Sequence, residues 1–542
     1  AQTVTVASPL YRYAFSTRGA AVVGAELLRY PSSVNKQEPV QLVPERTPAF
    51  VAYRVVAGQD TLDLAQLGFQ PSASALQLSA GGGPQELRFV YGAGDGISAE
   101  IVYSFRPDDY RVGVRGRVSG VPAGARLLTA LGPALAPNEH RDLRSENELA
   151  LVGRSPEDGL ERLRLAKIEG VDTLAGPLTW VAMRDRYFLA ALIAGERSAF
   201  AHATARALPP ARVPLPEEDE PRQVPRADVD AALALGADGA FAYELYLGPQ
   251  EYGRLAAIGH DLEEVTPYAY AWLQPIIRPI AKLIIWVLEG LHDTLGWAYG
   301  WVLVLFGVLV RIVLWPLNAK AMRAQMKNMA VQPLMQEIRE KYKSDPQKQQ
   351  EELIKLYREH GFNPMAGCLP LLIPFPVLIT LFFVFQNSIV FRGAEFWWLP
   401  DLSLKDPLYI LPVFVVVSMF GLQWISMRTS GMEQNPQMKF MLYFMPLMMG
   451  VFFWMMPSGL NLYYAVTNVA TIPQQILIGK ERQRHQEALK WNAKPGGPQA
   501  GGPQAGGPQA GGSQPGGSQP GGPRRGGPGG SSPAARPKPK RA

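Results

Sequence analysis

Hydrophobic and polar positions follow three unlike patterns in turn along this chain. Up to about residue 265, short segments alternate apolar and polar side chains: "TVTVAS", "AFVAYRVVAG", "LRFVYGA", "AEIVYSF" and "YRVGVRGRV". A period of two puts one face of a strand inward and the other outward, and Gly, Pro, Asp and Ser clusters punctuate the segments. The pattern predicts an all-β domain over 1–265, a sandwich or barrel of many short strands. A helical spacing first emerges in "GPQEYGRLAAIG" near 248–259. Residues 205 to 227 are Pro-rich and charged and read as an exposed loop.

The next stretch, 266–293, reads "TPYAYAWLQPIIRPIAKLIIWVLEGLHD". Gln274, Arg278, Lys282, Glu289 and Asp293 share one helical face, and Ile276, Ile277, Ile280, Leu283, Ile284 and Val287 fill the rest. Such a helix suits the membrane–water boundary, with Trp272 and Trp286 as interfacial anchors. A core helix of the β-domain is the alternative. From 294 to 480 lie long apolar runs, which predict an α-helical membrane bundle. Five segments approach the roughly 20 residues that a bilayer needs: about 295–317, 366–391, 408–427, 440–456 and 458–478. Between the first two, 318–360 is charged and helical, broken at Ser344-Asp345-Pro346. Aspartate as N-cap with proline at the first helical position starts a second helix there. The segment predicts an antiparallel helical hairpin outside the membrane.

Residues 481–542 read as a disordered Gly/Pro-rich basic tail: 495–530 repeat "GGPQA" and "GGSQP", and the chain ends in "ARPKPKRA", a composition that cannot build a core. Its arginines and lysines suit a solvated tail, or contact with RNA or anionic lipid. The segregation explains a mean hydropathy near zero alongside 47% hydrophobic residues. Net charge is +6 with an isoelectric point near 9.1, and its distribution orients the bundle. Segment 318–360 holds nine Lys/Arg, including Lys320, Arg323, Lys327, Lys341, Lys343 and Arg358. Segment 392–407 has only Arg392 and Lys405 against Glu395, Asp401 and Asp406. The positive-inside rule therefore puts hairpin, 428–439 loop and tail in the cytoplasm and the β-domain outside. The chain begins at Ala1, so a preceding signal or anchor helix stays open.

One cysteine, Cys368, excludes an intrachain disulfide and a cysteine metal site, and six scattered histidines lack ligand spacing. No H-E-x-x-H, phosphate-binding loop or paired intramembrane aspartates occur, so neither catalysis nor a cofactor is expected.

The feature that asks for a function is "FGVLVRIVLWPLNAK", 306–320. Arg311 follows sixteen uncharged residues, Leu295 to Val310, and precedes Ile312 to Trp315. It lies about 24 Å along a span of about 30 Å, and an arginine at mid-bilayer costs roughly 2.5–3.5 kcal/mol. The five segments hold no Asp to pair with it. Two placements stay open: snorkelling to the cytoplasmic boundary, or facing water held within the bundle. The last span supplies polar groups for the second. Asn461, Tyr464, Asn468, Thr471 and Gln475 recur at offsets of three and four, on one face. Gln386, Asn387, Ser418 and Gln423 add polar groups on other spans. Hydrogen bonding between helices explains each of these singly; the stripe beside an arginine points to a wet groove. Methionines such as Met441, Met445, Met448 and Met449 crowd the fourth span, soft filler for packing or for varied apolar partners.

The same residues carry a family likeness. "GWVLVLFGVLVRIVLWPLNAKAMRAQMKNMAVQPLMQEIREKY", "NPMAGCLPLLIPFPVLITLFFVF", "LPDLSLKDPLYILPV" and "PSGLNLYYAVTNVATIPQQ" resemble the YidC membrane-protein insertases. "FSTRGAAVVGAELLRYP" and "LTWVAMRDRYFLAALI" resemble the large periplasmic domain of their Gram-negative members. The resemblance covers about 1–485. It implies a periplasmic β-super-sandwich, an interfacial helix, five spans and a cytoplasmic hairpin, with a further transmembrane helix ahead of the periplasmic domain in Gram-negative members. It also implies that Arg311 is the arginine of a groove open to cytoplasm and lipid but closed to the periplasm. Polar, often acidic, substrate segments enter this groove while the hydrophobic helix leaves beside the third and last spans. Implied partners are nascent membrane proteins, the Sec translocon with its accessory complex, ribosomes and the bilayer. Two positions depart from the family: Gly307, where relatives often carry a hydroxyl, and Pro374, where glutamine is common.

The expectation is a multi-pass inner-membrane insertase and chaperone without covalent chemistry, its groove formed by Arg311, Asn461, Tyr464, Asn468, Thr471, Gln475 and Gln386. The alternatives are a small-solute transporter, which calls for a continuous polar path, and a membrane-tethered carbohydrate-binding protein, since a sandwich can host a sugar.

Overall fold

The computed structural model describes residues 1–492 apart from 93–95, 141–142, 144, 197, 216–217, 269–270, 331, 360–374 and 431–435. The chain forms two units, Ala1–Arg484 and His485–Ala542; of the second, only the helical residues 485–492 fall within the description.

The alternating segments of the first half pair into two large antiparallel-rich sheets. One has eleven strands, ordered from Val171–Leu178 through Phe200–Val213, Arg222–Ala234, Arg126–Leu131 and Val51–Ala57 to Thr3–Ala7 and Ala75–Gln77. The other has nine, running from Gly159–Arg164 through Trp180–Arg184, Phe188–Ala194 and Ala240–Pro249 to Gln70–Pro71. The inward faces share a single hydrophobic core. Buried phenols tie the two sheets together. Tyr53 Oη lies 2.8 Å from Tyr103 Oη and 2.9 Å from Tyr243 Oη, and Tyr13 Oη donates to the Leu247 carbonyl at 2.7 Å. A buried hydroxyl left without a partner would cost about 1–3 kcal/mol, so these bonds hold the two sheets in register.

The loop expected at 205–227 is instead most of a long hairpin, Phe200–Val213 against Arg222–Ala234. Three of its six prolines sit where the ladder slips: pairing jumps from Leu208↔Arg226 to Ala211↔Val224, so Pro209, Pro210 and Pro225 occupy the bulge, while Pro214, Pro216 and Pro221 fall in sequence between the strands. Proline has no N–H to donate and is tolerated at such a slip.

The remaining chain is helical. Helix α1 spans Tyr252–Ile258 and α2 spans Gln274–Leu295. The second starts eight residues later than the amphipathic pattern begins, with proline in its first turn. Ile277, Ala281, Ile284, Ile285 and Leu288 of α2 are buried, while Trp272, Ile276, Leu283 and Trp286 stay exposed. On a third face Arg278 pairs with Glu264 at 2.6 Å and Lys282 with Glu263 at 3.3 Å, tying α2 to the end of the β-domain.

Helix α3, Tyr299–Ala330, continues without interruption from the apolar stretch into the charged one. Helices α4, Gln332–Lys341, and α5, Pro346–Glu359, complete the hairpin. The Asp345 carboxylate accepts from the Lys348 N–H at 3.1 Å, capping α5 where proline fixes its first residue. Then follow α6, Phe375–Asn387; α7, Ile410–Ser430; α8, Pro436–Trp454; and α9, Ser458–Asn492. Among the described residues one helix, Tyr299–Leu317, is long and apolar enough to cross a membrane, and Pro376–Asn387, Ile410–Ile425 and Tyr443–Trp454 are shorter apolar stretches. Most of the second predicted span's first half, 366–374, and with it Cys368 and Pro374, lies outside the described residues.

The loop 392–409 ties the bundle to the β-domain. Arg392 Nε donates to both carboxylate oxygens of Glu139, at 2.8 and 2.9 Å, and its Nη1 reaches the Pro31 carbonyl at 2.9 Å. Both side chains are buried, and the guanidinium lies 5.3 Å from the Phe188 ring centre. Asn387 Nδ2 donates to the Pro267 carbonyl at 2.9 Å, a second bond across the junction.

Candidate functional site

Helices α3 and α9 run parallel and touch at a few points, which fix the level of each polar residue. Phe306 meets Tyr463 with ring centres 5.9 Å apart, and Gln474 Nε2 donates to the Trp315 carbonyl at 3.3 Å. Between these points Gly307 faces Val466 and Thr467: a Cβ on Gly307 would lie 3.0 Å from Val466 Cγ1. This packing leaves little room for a side chain at 307. Gly307→Leu is expected to push the helices apart and cost about 1–3 kcal/mol, read as a lower unfolding temperature in detergent.

Arg311 lies one turn below Gly307, in register with residues near 470 of α9. Helix α3 starts at Tyr299, four residues later than the apolar run, and Trp301 stacks edge-on against Phe396 of the 392–409 loop at 5.3 Å. Counting from Trp301, Arg311 is about 15 Å down the helix, half of a hydrocarbon core of about 30 Å. The side chain is half-buried, and Tyr463 and Tyr464 are the ionisable neighbours that its charge reaches. Among the described residues it has no carboxylate partner and no hydrogen bond.

The expected groove residues divide by level. Counted along the helices from the Phe306–Tyr463 and Trp315–Gln474 contacts, the backbones of Asn468 and Thr471 stand nearest the level of Arg311 and Gln475 one turn farther from the β-domain, while the arginine's charge reaches back to Tyr464. Asn468 is buried and donates through Nδ2 to Ser418 Oγ of α7 at 2.9 Å; Thr471 Oγ1 donates to the Thr467 carbonyl at 2.5 Å. Tyr464 packs on Phe453 at 4.8 Å and on Tyr463 at 5.5 Å, and Gln475 is half-buried. Asn461 lies one turn beyond Tyr464 toward the β-domain, fully buried, its Nδ2 donating to the Phe453 carbonyl at 3.1 Å. It ties the end of α8 to α9, and its Oδ1 has no bonded partner.

Gln386 is not brought to Arg311. It ends α6 beside the β-domain, where its carbonyl accepts from Arg186 Nη1 at 3.2 Å and faces Tyr187 Oη at 3.5 Å. The sequence shows that Gln386 is polar within an apolar run but not which end of the helix it occupies. Two residues that the stripe omits, Tyr463 and Gln474, face α3. Each stands beside a stripe member, which widens the polar strip to both sides of one helical line.

A two-sheet sandwich bonded to a bundle of apolar helices, with a half-buried arginine near mid-depth, defines a membrane protein carrying a large domain on one side. The comparisons identify which. Residues 3–283 match the description "YidC periplasmic domain", and 290–486 match "60Kd inner membrane protein". A Coxiella burnetii protein named "Membrane protein insertase YidC" is 29% identical over 505 residues, covering 90% of this chain and 85% of its own length. One of the same name from Chlorobium phaeovibrioides is 30% identical over 507 residues, covering 88% and 83%. A solved active YidC insertase, with its first transmembrane domain resolved, is 18% identical, covers 88% of this chain and 92% of its own, and superposes with a TM-score of 0.35. The chain belongs to the YidC family of membrane protein insertases. It is therefore an inner-membrane protein, and the β-domain is its periplasmic domain.

Proposed function

We propose that this chain inserts and folds nascent membrane proteins in the inner membrane, alone or with the Sec translocon and its accessory complex, through a groove built around Arg311. The observation that carries the reading is an arginine on α3, about 15 Å below Trp301 and so about halfway through a hydrocarbon core, with no carboxylate partner among the described residues. Arg311, Tyr464, Asn468, Thr471 and Gln475 line the groove, and its polar floor lies on the side away from the β-domain. Asn461 and Gln386 belong to the closed periplasmic end. Five spans cross the bilayer, so the α4–α5 hairpin and the basic tail lie in the cytoplasm within reach of a ribosome. An arginine held with water lowers the cost of drawing a polar, acidic segment part-way into the bilayer, while the attached hydrophobic segment leaves sideways into lipid. No bond is made or broken, so neither cofactor nor catalytic residue is required.

The test is reconstitution. Liposomes carrying the full chain are expected to protect the translocated tail of a small single-span substrate from added protease, and empty liposomes are not. Equal protection in both would reject the reading.

A further inference from the structure

We propose that the 392–409 loop is a preformed wedge that seats Trp397 in the headgroup–acyl boundary of the periplasmic leaflet. The inference rests on the family's inner-membrane placement and not on the groove.

The loop is rigid by construction. Phe396 and Leu399 exchange backbone bonds at 2.9 Å in both directions, closing a tight turn around Trp397 and Trp398. Asp401 Oδ1 accepts from the Ser403 N–H and hydroxyl, each at 2.7 Å. Asp406 accepts from Trp398 Nε1 at 3.1 Å and from the Leu411 N–H at 2.7 Å, which fixes the loop to the start of α7. The Leu402 carbonyl accepts from the Gly459 N–H at 2.9 Å, fixing it to α9, and Arg392 fixes it to the β-domain.

From this bonded frame two large apolar side chains project, Trp397 and, next to α7, Leu408. Trp397 is 72% exposed, and its φ of +52° is a left-handed conformation that a tryptophan rarely adopts. A loop with so many internal bonds holds that conformation, and its result is an indole turned outward. The ring stacks on Phe396 at 5.1 Å and meets Trp301 edge-on at 5.9 Å. Trp301 lies in the first turn of the Tyr299–Leu317 span, so Trp397 stands at the level where hydrocarbon begins. Indoles favour that level because the ring is apolar while its N–H reaches water and headgroups.

Continuity selects lipid over a protein partner. Exposed apolar surface runs from Trp397 and Trp301 down α3 through Val308, Ile312 and Val313, and from Leu408 down α7 through Val413 and Val417. A protein-binding patch is ringed by polar residues, whereas on the helix side this surface runs on into the exposed apolar faces of α3 and α7.

The test uses the full chain with Cys368→Ser, which removes its one cysteine. A bimane label is placed at Trp397→Cys, at Glu395→Cys, which leaves Trp397 in place, and at Ser79→Cys as a water-exposed control in the β-domain. In proteoliposomes, labels at 397 and 395 are expected to be quenched more by lipid spin-labelled near the headgroup than near the acyl terminus. Iodide quenching at 397 is expected to be roughly threefold weaker than at 79, because seating in the boundary excludes the ion. Iodide access at 397 equal to that at 79, with no lipid quenching, would overturn the proposal. Protection from both quenchers would overturn it too, showing a protein cover. Loss of insertion activity with the lipid quenching intact would reject the proposed function and leave the wedge standing.

Discussion

Arg311→Ala is expected to reduce insertion of substrates with acidic translocated tails by roughly tenfold or more, with a smaller effect on substrates whose tails are neutral. Two unit charges 4 Å apart attract by about 1 kcal/mol in water and about 4 kcal/mol at the intermediate dielectric of a partly wet protein site. Tenfold corresponds to about 1.4 kcal/mol, so the expected loss sits inside that interval. Arg311→Lys keeps the charge on a shorter, compact head and is expected to retain most activity if attraction is the main effect. Complementation of insertase-depleted cells, followed by protease mapping of the substrate tail, checks both variants. Full insertion of acidic-tailed substrates by the alanine variant would reject charge attraction as the mechanism.

The second large effect concerns the junction between domain and bundle. Arg392→Leu leaves the Glu139 carboxyl buried without its cation, a change that costs about 3–5 kcal/mol in comparable buried pairs. Replacing both, Glu139→Leu with Arg392→Leu, is expected to recover much of that loss, because a buried pair also carries the penalty of desolvating both charges. Thermal unfolding in detergent, read as a double-mutant cycle, measures both. The pH dependence has a definite sign. Burial pushes the Glu139 carboxyl up to about 7 although Arg392 pulls it down. A carboxyl raised in the folded state makes stability fall as pH climbs from the ordinary value near 4.5 to about 7, then level off. Without Arg392 the carboxyl rises further, so the deficit of Arg392→Leu is expected to widen above pH 7 and to be smallest near pH 5.5.

Much of the architecture is legible in the residues because periodicity reports burial directly. Strands such as Val51–Ala57 and Ser98–Phe105 show in their alternation, and the start of α5 shows in an Asp-Pro pair whose chemistry is local. Segment 205–227 misleads because proline content reads as loop, whereas Pro209, Pro210 and Pro225 sit at a slip inside a hairpin whose pairing is long-range, and only the stretch between Val213 and Arg222 lies outside the ladder. The site divides the same way. Arg311 stands out by charge alone, and the stripe of α9 by spacing. Which members share its level depends on the α3–α9 register, set by Gly307, Val466 and the Gln474–Trp315 bond, and no local signal carries that. Gln386 shows the limit: its polarity is visible, but its place beside Arg186 depends on how the sandwich sits on the bundle.

The most direct test of the groove places a photo-crosslinking residue at Thr471, in register with Arg311, and at Val313, which is 71% exposed on the far side of the same helix. With a ribosome-bound nascent substrate arrested during insertion, the acidic translocated segment is expected to crosslink from position 471 and not from 313. Crosslinks to that segment from 313 alone, with none from 471, would contradict it.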